Sequence, residues 1–268
     1  MIIASHTAGA VYDINIFGLS VTFLLVALAA ILTVVMRLGI AKSMIWSTLR
    51  SLLQLLAMGY IIKYVIEANN PWIVLALMVF MVIAAVQITL TRADGIPRGL
   101  VMPVLLTLMV SVLIVDSVVS ELIIAPSPWY APQILIPVTG MMLGNLVAAI
   151  AVAMSRFFSD MKAREYEVEV YLSMGATPFE AAKPSIIASA KLGLIPTIAQ
   201  LASSGIVLIP GMMAGQIIAG GDPLEAAKYQ FVVLAALSSI TIIGDTLIMI
   251  LIYRRCFTEL DQFELRTV

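Results

Sequence analysis

Three ionisable residues interrupt otherwise apolar stretches of the chain: Arg50, Asp116 and Asp245. Ionisable groups are costly in hydrocarbon, so they face a bundle interior or an aqueous cavity, where they pair or handle ions. Arg50 shares a helix face with Gln54 at i+4, and its structural alternative is an arginine that snorkels or binds carbonyls. Asp245 is the preferred ion-pathway carboxylate, with a buried aspartate bonded to a neighbouring Thr, Ser or Asn as the alternative.

Methionine and amide side chains form a second group of candidate ion-pathway residues. Met141 and Asn145 are four residues apart and share a helix face, as do Met212 and Gln216. Glycines stand beside both pairs in the sequence. Thioether sulfur is a soft ligand that suits Cu(I) better than iron, but methionine is also a good filler of irregular helix contacts. The residues are Met141, Met142, Asn145, Met212, Met213 and Gln216.

The chain contains one histidine, His6, and one cysteine, Cys256. This excludes an intramolecular disulfide and a recognisable His/Cys metal cluster, and it argues against an intramembrane enzyme, which needs convergent catalytic groups. These residues do not indicate one particular metal. Carboxylate, amide and thioether groups would hold a metal only weakly.

The composition indicates what kind of protein must position these residues. Of the 268 residues, 62% are hydrophobic and only 12% are charged, about half the usual charged share. A soluble enzyme, a disordered chain and a nucleic-acid binder are excluded, and an all-α polytopic integral membrane protein is predicted. Seven stretches are long enough to span the bilayer. They cover about 14–36, 43–66, 71–90, 99–122, 134–158, 192–219 and 231–253.

The distribution of basic residues predicts the orientation. With seven spans, all but Lys63 and Lys228 of the 15 lysines and arginines fall on one side of the membrane. By the positive-inside rule the N-terminus is outside, the C-terminus is cytoplasmic, and the protein is a multi-pass protein of the inner (plasma) membrane.

A single permease-like domain, 1–268, is predicted, with one long cytoplasmic segment over 159–191. Its first half is a plausible amphipathic helix, and Gly175 is a natural C-cap. Thr177 and Glu180 form a potential capping box around Pro178, which begins a short second helix. Such a helix-turn-helix can dock a soluble partner or can be an ordinary surface loop.

This segment resembles the cytoplasmic coupling loop of ABC-transporter permeases. The match rests on Glu169 six residues before Gly175 and on the run Gly-Ala-Thr-Pro-Phe; Val170 and Tyr171 stand where the family commonly has alanines. The resemblance implies that 176–182 sits in a groove of a cytoplasmic ATPase subunit. The implied coupling residues are Glu169, Gly175, Ala176, Thr177, Pro178, Phe179 and Glu180.

Three longer runs are similar to the FetB family, the permease half of a bacterial iron-export ABC transporter. They are Arg50-Ser-Leu-Leu-Gln-Leu, Thr139-Gly-Met-Met-Leu-Gly-Asn and Ile209-Pro-Gly-Met-Met-Ala-Gly-Gln. The resemblance implies a FetA-like ATPase partner and metal efflux; a plant relative is linked to aluminium tolerance.

The chain contains no Gly-Lys dipeptide and therefore no Walker phosphate loop. If the protein belongs to an ATP-driven pump, ATP and magnesium bind the partner subunit, and no cofactor is expected in this chain. A self-contained channel or ion-coupled carrier would also lack the motif and stays open as the alternative. Because ABC pumps need two membrane halves, a homodimer is expected, and two G-x-x-x-G spacings would allow close helix contact.

Overall fold

The computed structural model describes residues 15–119, 126 and 128–265. Within these residues the chain is helical, with isolated bridges and no β-strand. The helices are α1 (Ile16–Val35), α2 (Ala41–Ala68), α3 (Pro71–Arg92), α4 (Val101–Ser117), α5 (Pro132–Ala163), α6 (Glu165–Ser173), α7 (Pro178–Ser203), α8 (Gly211–Ile218) and α9 (Pro223–Ile252).

Six of the described helices are long and apolar enough to cross a membrane: α1, α2, α3, α5, α7 and α9. The shorter α4 is also apolar, and residues 120–125 beyond it lie outside the described part. The all-α integral membrane fold is therefore confirmed. The shorter helix α4 corresponds to the predicted fourth span, about 99–122. His6 lies outside the described residues.

Helix α5 is the centre of the bundle. It packs against α3, α7 and α9, and one continuous stripe of its side chains is fully buried. The stripe follows the helical spacing of three and four residues, so one face serves as the core. It includes Met142, Leu146, Ile150, Met154, Phe157 and Met161.

Local sequence signals set several helix starts. Asn70 and Asp222 cap α3 and α9 with their side-chain oxygens, which accept hydrogen bonds from backbone amides of the first turn. In both helices a proline follows at the first helical position, where a missing amide hydrogen costs nothing. Helix α9 therefore begins at Pro223, eight residues before the predicted seventh span.

The predicted sixth span, 192–219, is wrong in its boundaries. Helix α7 begins at Pro178 and ends at Ser203, so the short second helix predicted after Gly175 is the start of a long one. Residues 204–210 are not helical, because Gly205 takes a left-handed conformation with φ +86° and Pro210 precedes α8 without an amide hydrogen. Their apolar side chains concealed this break from a hydropathy argument.

The ends of several helices meet at one end of the bundle, which we term the basic end. Arg92, at the end of α3, donates hydrogen bonds to Ser43 and Ser47 at the start of α2. The Asp94 amide donates to Ser155 of α5. The start of α7 and the end of α9 meet in the same region. Arg92 and Arg156 lie together at this end.

Candidate transport pathway and docking site

The turn predicted around Gly175 is present at the basic end, and it is termed the coupling turn after the role that the resemblance implies. Helix α6 ends at Ser173, and Gly175 adopts φ +90°, a conformation that side chains rarely take. The Thr177 hydroxyl accepts from the Glu180 amide, and the Glu180 carboxylate accepts from the Thr177 amide at 2.8 Å. This capping box confirms the predicted start of α7.

Arg164 anchors α6 to α7. Its guanidinium donates two hydrogen bonds to Glu167, at 2.6 and 2.8 Å, and a third to the buried Ser185 of α7 at 2.7 Å. The bond with Glu167 raises the pKa of Arg164 and lowers the pKa of the Glu167 carboxyl, since it stabilises both charged forms. The coupling turn is therefore held against the bundle by a side-chain fork.

The exposed side of the turn differs from the one the sequence suggested. Pro178, Ala181 and Ala182 are buried within the chain, so these parts of the predicted groove-binding run face inward. Outward-facing residues include Glu169, Gly175, Thr177 and Glu180. Phe179 is half exposed and contacts Tyr253, after α9, edge to face at 5.5 Å.

An exposed apolar stripe on α6, which the sequence reasoning missed, lies beside these residues. Tyr166, Val170 and Met174 follow one another at i, i+4 and i+8, and Tyr166 and Met174 are 81% and 70% exposed. A groove of about 580 Å³ runs between α6 and the chain after α9. The spacing alone could have revealed the stripe, because large apolar side chains on a solvent-facing helix indicate a contact surface.

Helix α2 carries a polar stripe that starts at the basic end. Ser43, Ser47, Arg50 and Gln54 recur at three- and four-residue spacing on one face. Arg50 and Gln54 are exposed and form no ion pair or hydrogen bond with other described residues. An unpaired arginine on an open helix face points to a further covering surface.

A cavity of about 800 Å³ opens beside this region of the basic end. Its lining combines charged and hydroxyl groups with small α5 side chains, and it includes Arg92, Asp94, Ala148, Ser155 and Arg156. Gly144 lies one turn before Ala148 and has open space where a side chain would be. This face of α5 is thus free of packing within one chain.

The remaining pathway candidates do not form one cluster. Met142 is in the core, whereas Met141 and Asn145 are half buried, with the Asn145 amide donating to the Met141 carbonyl. Met212, Met213 and Gln216 lie half buried on α8, away from the basic end. The Asp116 side chain lies outside the described residues. No group of three His, Cys, Asp or Glu residues arranged for metal binding occurs among the described residues.

Asp245 lies inside the helix bundle of a single chain. Its side chain is completely buried, and neither carboxylate oxygen has a hydrogen-bond partner among the described residues. Among the described residues, Asp245 is therefore not bonded to a neighbouring hydroxyl or amide, which was the alternative to an ion-pathway role. Asp245 is also separate from the exposed stripe that carries Arg50.

Comparison with known proteins assigns the family. The family model described as an uncharacterised protein family, UPF0014, matches residues 16–257, which include all nine helices described above. The chain belongs to the UPF0014 family. No solved structure matches it.

Relatives in the UPF0014 family come from bacteria and plants. A UPF0014 membrane protein of Synechocystis is 33% identical over 84% of this chain and 87% of its own length. The "probable iron export permease protein FetB" of Escherichia coli is 28% identical over 94% and 95%. The Arabidopsis thaliana protein ALUMINUM SENSITIVE 3 is 33% identical over 81% and 80%. The resemblance to FetB is thereby confirmed over nearly the whole chain.

Proposed function

We propose that this UPF0014 protein is the membrane-spanning permease subunit of an ATP-driven ABC exporter, energised by a separate cytoplasmic ATPase. The observation that carries the proposal is the coupling turn. A glycine break, a capping box and an exposed apolar stripe form a rigid projection at the end where the basic residues gather. Such a projection suits a soluble partner that must push on the bundle, and ATP and magnesium would bind that partner.

The proposed cargo is a metal ion, with iron as the first candidate. Support comes from the name of the Escherichia coli relative, a probable iron export permease, and from the plant relative named for aluminium sensitivity. The proposed location is the plasma membrane, with the basic end in the cytoplasm. Weak oxygen and thioether contacts fit an exporter because it must release its cargo.

We also propose that two copies form the pathway between them. In one chain, α1 and α2 bury almost nothing: Ala30 and Val65 are their only described buried residues. Arg50, Gln54 and the open face around Gly144 would then line or border the pathway, together with Met141 and Asn145. A second copy would cover the charge that the single chain leaves exposed.

Docking can be tested by co-expressing the chain with candidate ABC ATPases and measuring co-purification. Tyr166→Ser and Met174→Ser should each weaken the complex at least severalfold, because they remove exposed apolar contact area without disturbing the core. Ile206→Ser is the matched control, since Ile206 is 90% exposed and lies after α7, at the opposite end of that helix from the coupling turn. Unchanged complex formation by both α6 variants would refute this docking surface.

Transport can be tested in inverted vesicles that contain both subunits. ATP-dependent accumulation is expected for Fe(II), with Mn(II), Cu(I), Al(III) and small organic solutes as competitors. Vesicles that contain the chain alone should not accumulate cargo; if they do, the protein is a self-contained carrier or channel. If none of the metals is accumulated in an ATP-dependent manner, the proposal of a metal cargo is refuted. The docking experiment is unaffected by that result.

A further inference from the structure

Four helices enclose a group of buried oxygen atoms that no described residue satisfies. Both carboxylate oxygens of Asp245 in α9 are unpaired, as are the hydroxyls of Thr107 and Ser111 in α4 and of Ser189 in α7. All four side chains are completely buried. Each buried polar group without a hydrogen-bond partner destabilises the fold, so this group of oxygen atoms requires an explanation.

These hydroxyls differ from other buried hydroxyls of the bundle. The hydroxyls of Thr89, Ser238 and Thr241 donate to the carbonyl four residues earlier, at 2.6–2.8 Å, as is usual in membrane helices. Thr107, Ser111 and Ser189 do not, although each lies within a helix that offers the same carbonyl.

Two glycines bring these helices into close contact. A Cβ atom on Gly193 of α7 would lie 2.9 Å from the Ala149 carbonyl oxygen and 3.1 Å from an Asp245 carboxylate oxygen. A Cβ atom on Gly244 of α9 would lie 3.1 Å from the Ser111 hydroxyl. The spacing leaves Asp245 enclosed by α5 and α7.

Among the residues that the structure describes, the carboxyl of Asp245 faces no compensating charge. Arg156 of α5 pairs with Asp160, Lys191 of α7 is exposed, and Lys228 and Arg254 at the ends of α9 or beyond it pair with Glu225 and Asp261. The third neighbouring helix, α4, carries Asp116, whose side chain is not described. An isolated ionised carboxylate is strongly disfavoured in a low-dielectric interior.

We propose that Asp245 is a proton-binding site within each chain, occupied while α4, α7 and α9 are packed together. The carboxylic acid is then neutral, so the interior holds no ionised group without a partner. When α7 moves away from α9, the O–H bond breaks, the proton passes to water, and the carboxylate is hydrated. The unpaired hydroxyls of α4 and α7 form the polar lining of that opening.

Helix α7 connects this site to the coupling turn. It is one helix from Phe179 to Gly193, about 21 Å away at 1.5 Å per residue, with Pro184 as a position without an amide hydrogen inside this stretch. Displacement of the start of α7 would therefore reach Asp245. The proton site goes beyond the proposed export function, and it would exist whether the cargo is a metal or not.

Infrared spectroscopy of the full chain in liposomes tests the proposal. With ¹³C-labelled aspartate, a protonated carboxyl C=O band is expected near neutral pH and should vanish in Asp245→Asn. Glu165→Gln, at an exposed carboxylate on α6, is the matched control and should retain the band. Asp245→Asn should unfold at the wild-type temperature or above, because the amide reproduces the neutral form.

Two results would overturn the proton site. One is the absence of an Asp245-dependent band at any pH at which the chain is folded, which would mean that the carboxylate stays ionised. The other is stabilisation of the wild type, but not of Asp245→Asn, by sodium ions, which would identify a metal-cation site. Neither readout depends on the ATPase, so failure of the export proposal is recognised separately, by the vesicle experiments.

Discussion

At the scale of single residues, small side chains decide how close the helices approach. Gly193 allows α7 to contact both α5 and Asp245, whereas Gly144 and Gly59 have no atom within 4 Å of a potential Cβ. Residue type alone does not distinguish these positions. Of these three glycines, Gly193 is the one expected to be intolerant of a methyl group within one chain.

Gly193→Ala should destabilise the protein by about 1–3 kcal/mol, because its Cβ would overlap a backbone carbonyl that cannot rotate away. The measurement is thermal or denaturant unfolding in detergent. Gly59→Ala serves as the control: this site is open and helical, so alanine should be neutral or stabilising by up to about 1 kcal/mol. Equal stability of the two variants would contradict the packing of α7 against α5.

At the scale of elements, the junction of α5, α6 and α7 determines the rigidity of the coupling turn. Arg164 lies between α5 and α6 and reaches Ser185 in α7, so one side chain joins all three helices. A guanidinium is needed for this arrangement, because three directed donors act at once.

Arg164→Lys should make amide exchange in α6 severalfold faster, since lysine cannot reproduce the fork. Hydrogen exchange followed by mass spectrometry measures this, with Lys162→Arg as a control that keeps the charge at an exposed neighbour. The pKa of Glu167 is lowered in the fold, so its ion pair contributes fully above the ordinary glutamate pKa of about 4.3 and is lost as pH falls through the folded value. Wild-type α6 should therefore loosen in acid, and the lysine variant should show less pH dependence.

At the scale of the whole molecule, much of the described surface is apolar and is not packed against the rest of the chain. The first two helices are almost entirely exposed, and Arg50 lies on that surface. The central helix α5 is packed on one side and open at Gly144 on another. A second copy against α2 and the open side of α5 would resolve both features.

Gln54→Cys, placed in a Cys256→Ser background, should form an intermolecular cross-link in membranes with a short bifunctional thiol reagent. Gln54 is exposed on the polar face of α2, and Cys256 is buried, so the background removes only an inaccessible thiol. Phe80→Cys, on the exposed face of α3, is the control and should cross-link poorly. Equal cross-linking at both positions would indicate random collision and not a defined dimer.

Local sequence signals predicted the class of the protein, the approximate position of most spans and the turn around Gly175. These features depend on local properties: hydropathy summed over about 20 residues, a glycine that tolerates a left-handed conformation, and a capping box within four residues. Each is encoded by neighbours in the chain, so each could be predicted without contacts.

Three features became visible only in the packed chain: α7 ends at Ser203, Pro178 faces inward while Tyr166 faces outward, and Asp245 has no partner among the described residues. These properties depend on residues far apart in the chain. The surroundings of Asp245 come from α4, α5 and α7 together, and hydropathy treats an apolar loop and an apolar helix alike. Burial and hydrogen bonding arise from packing between helices, which no single stretch of sequence encodes.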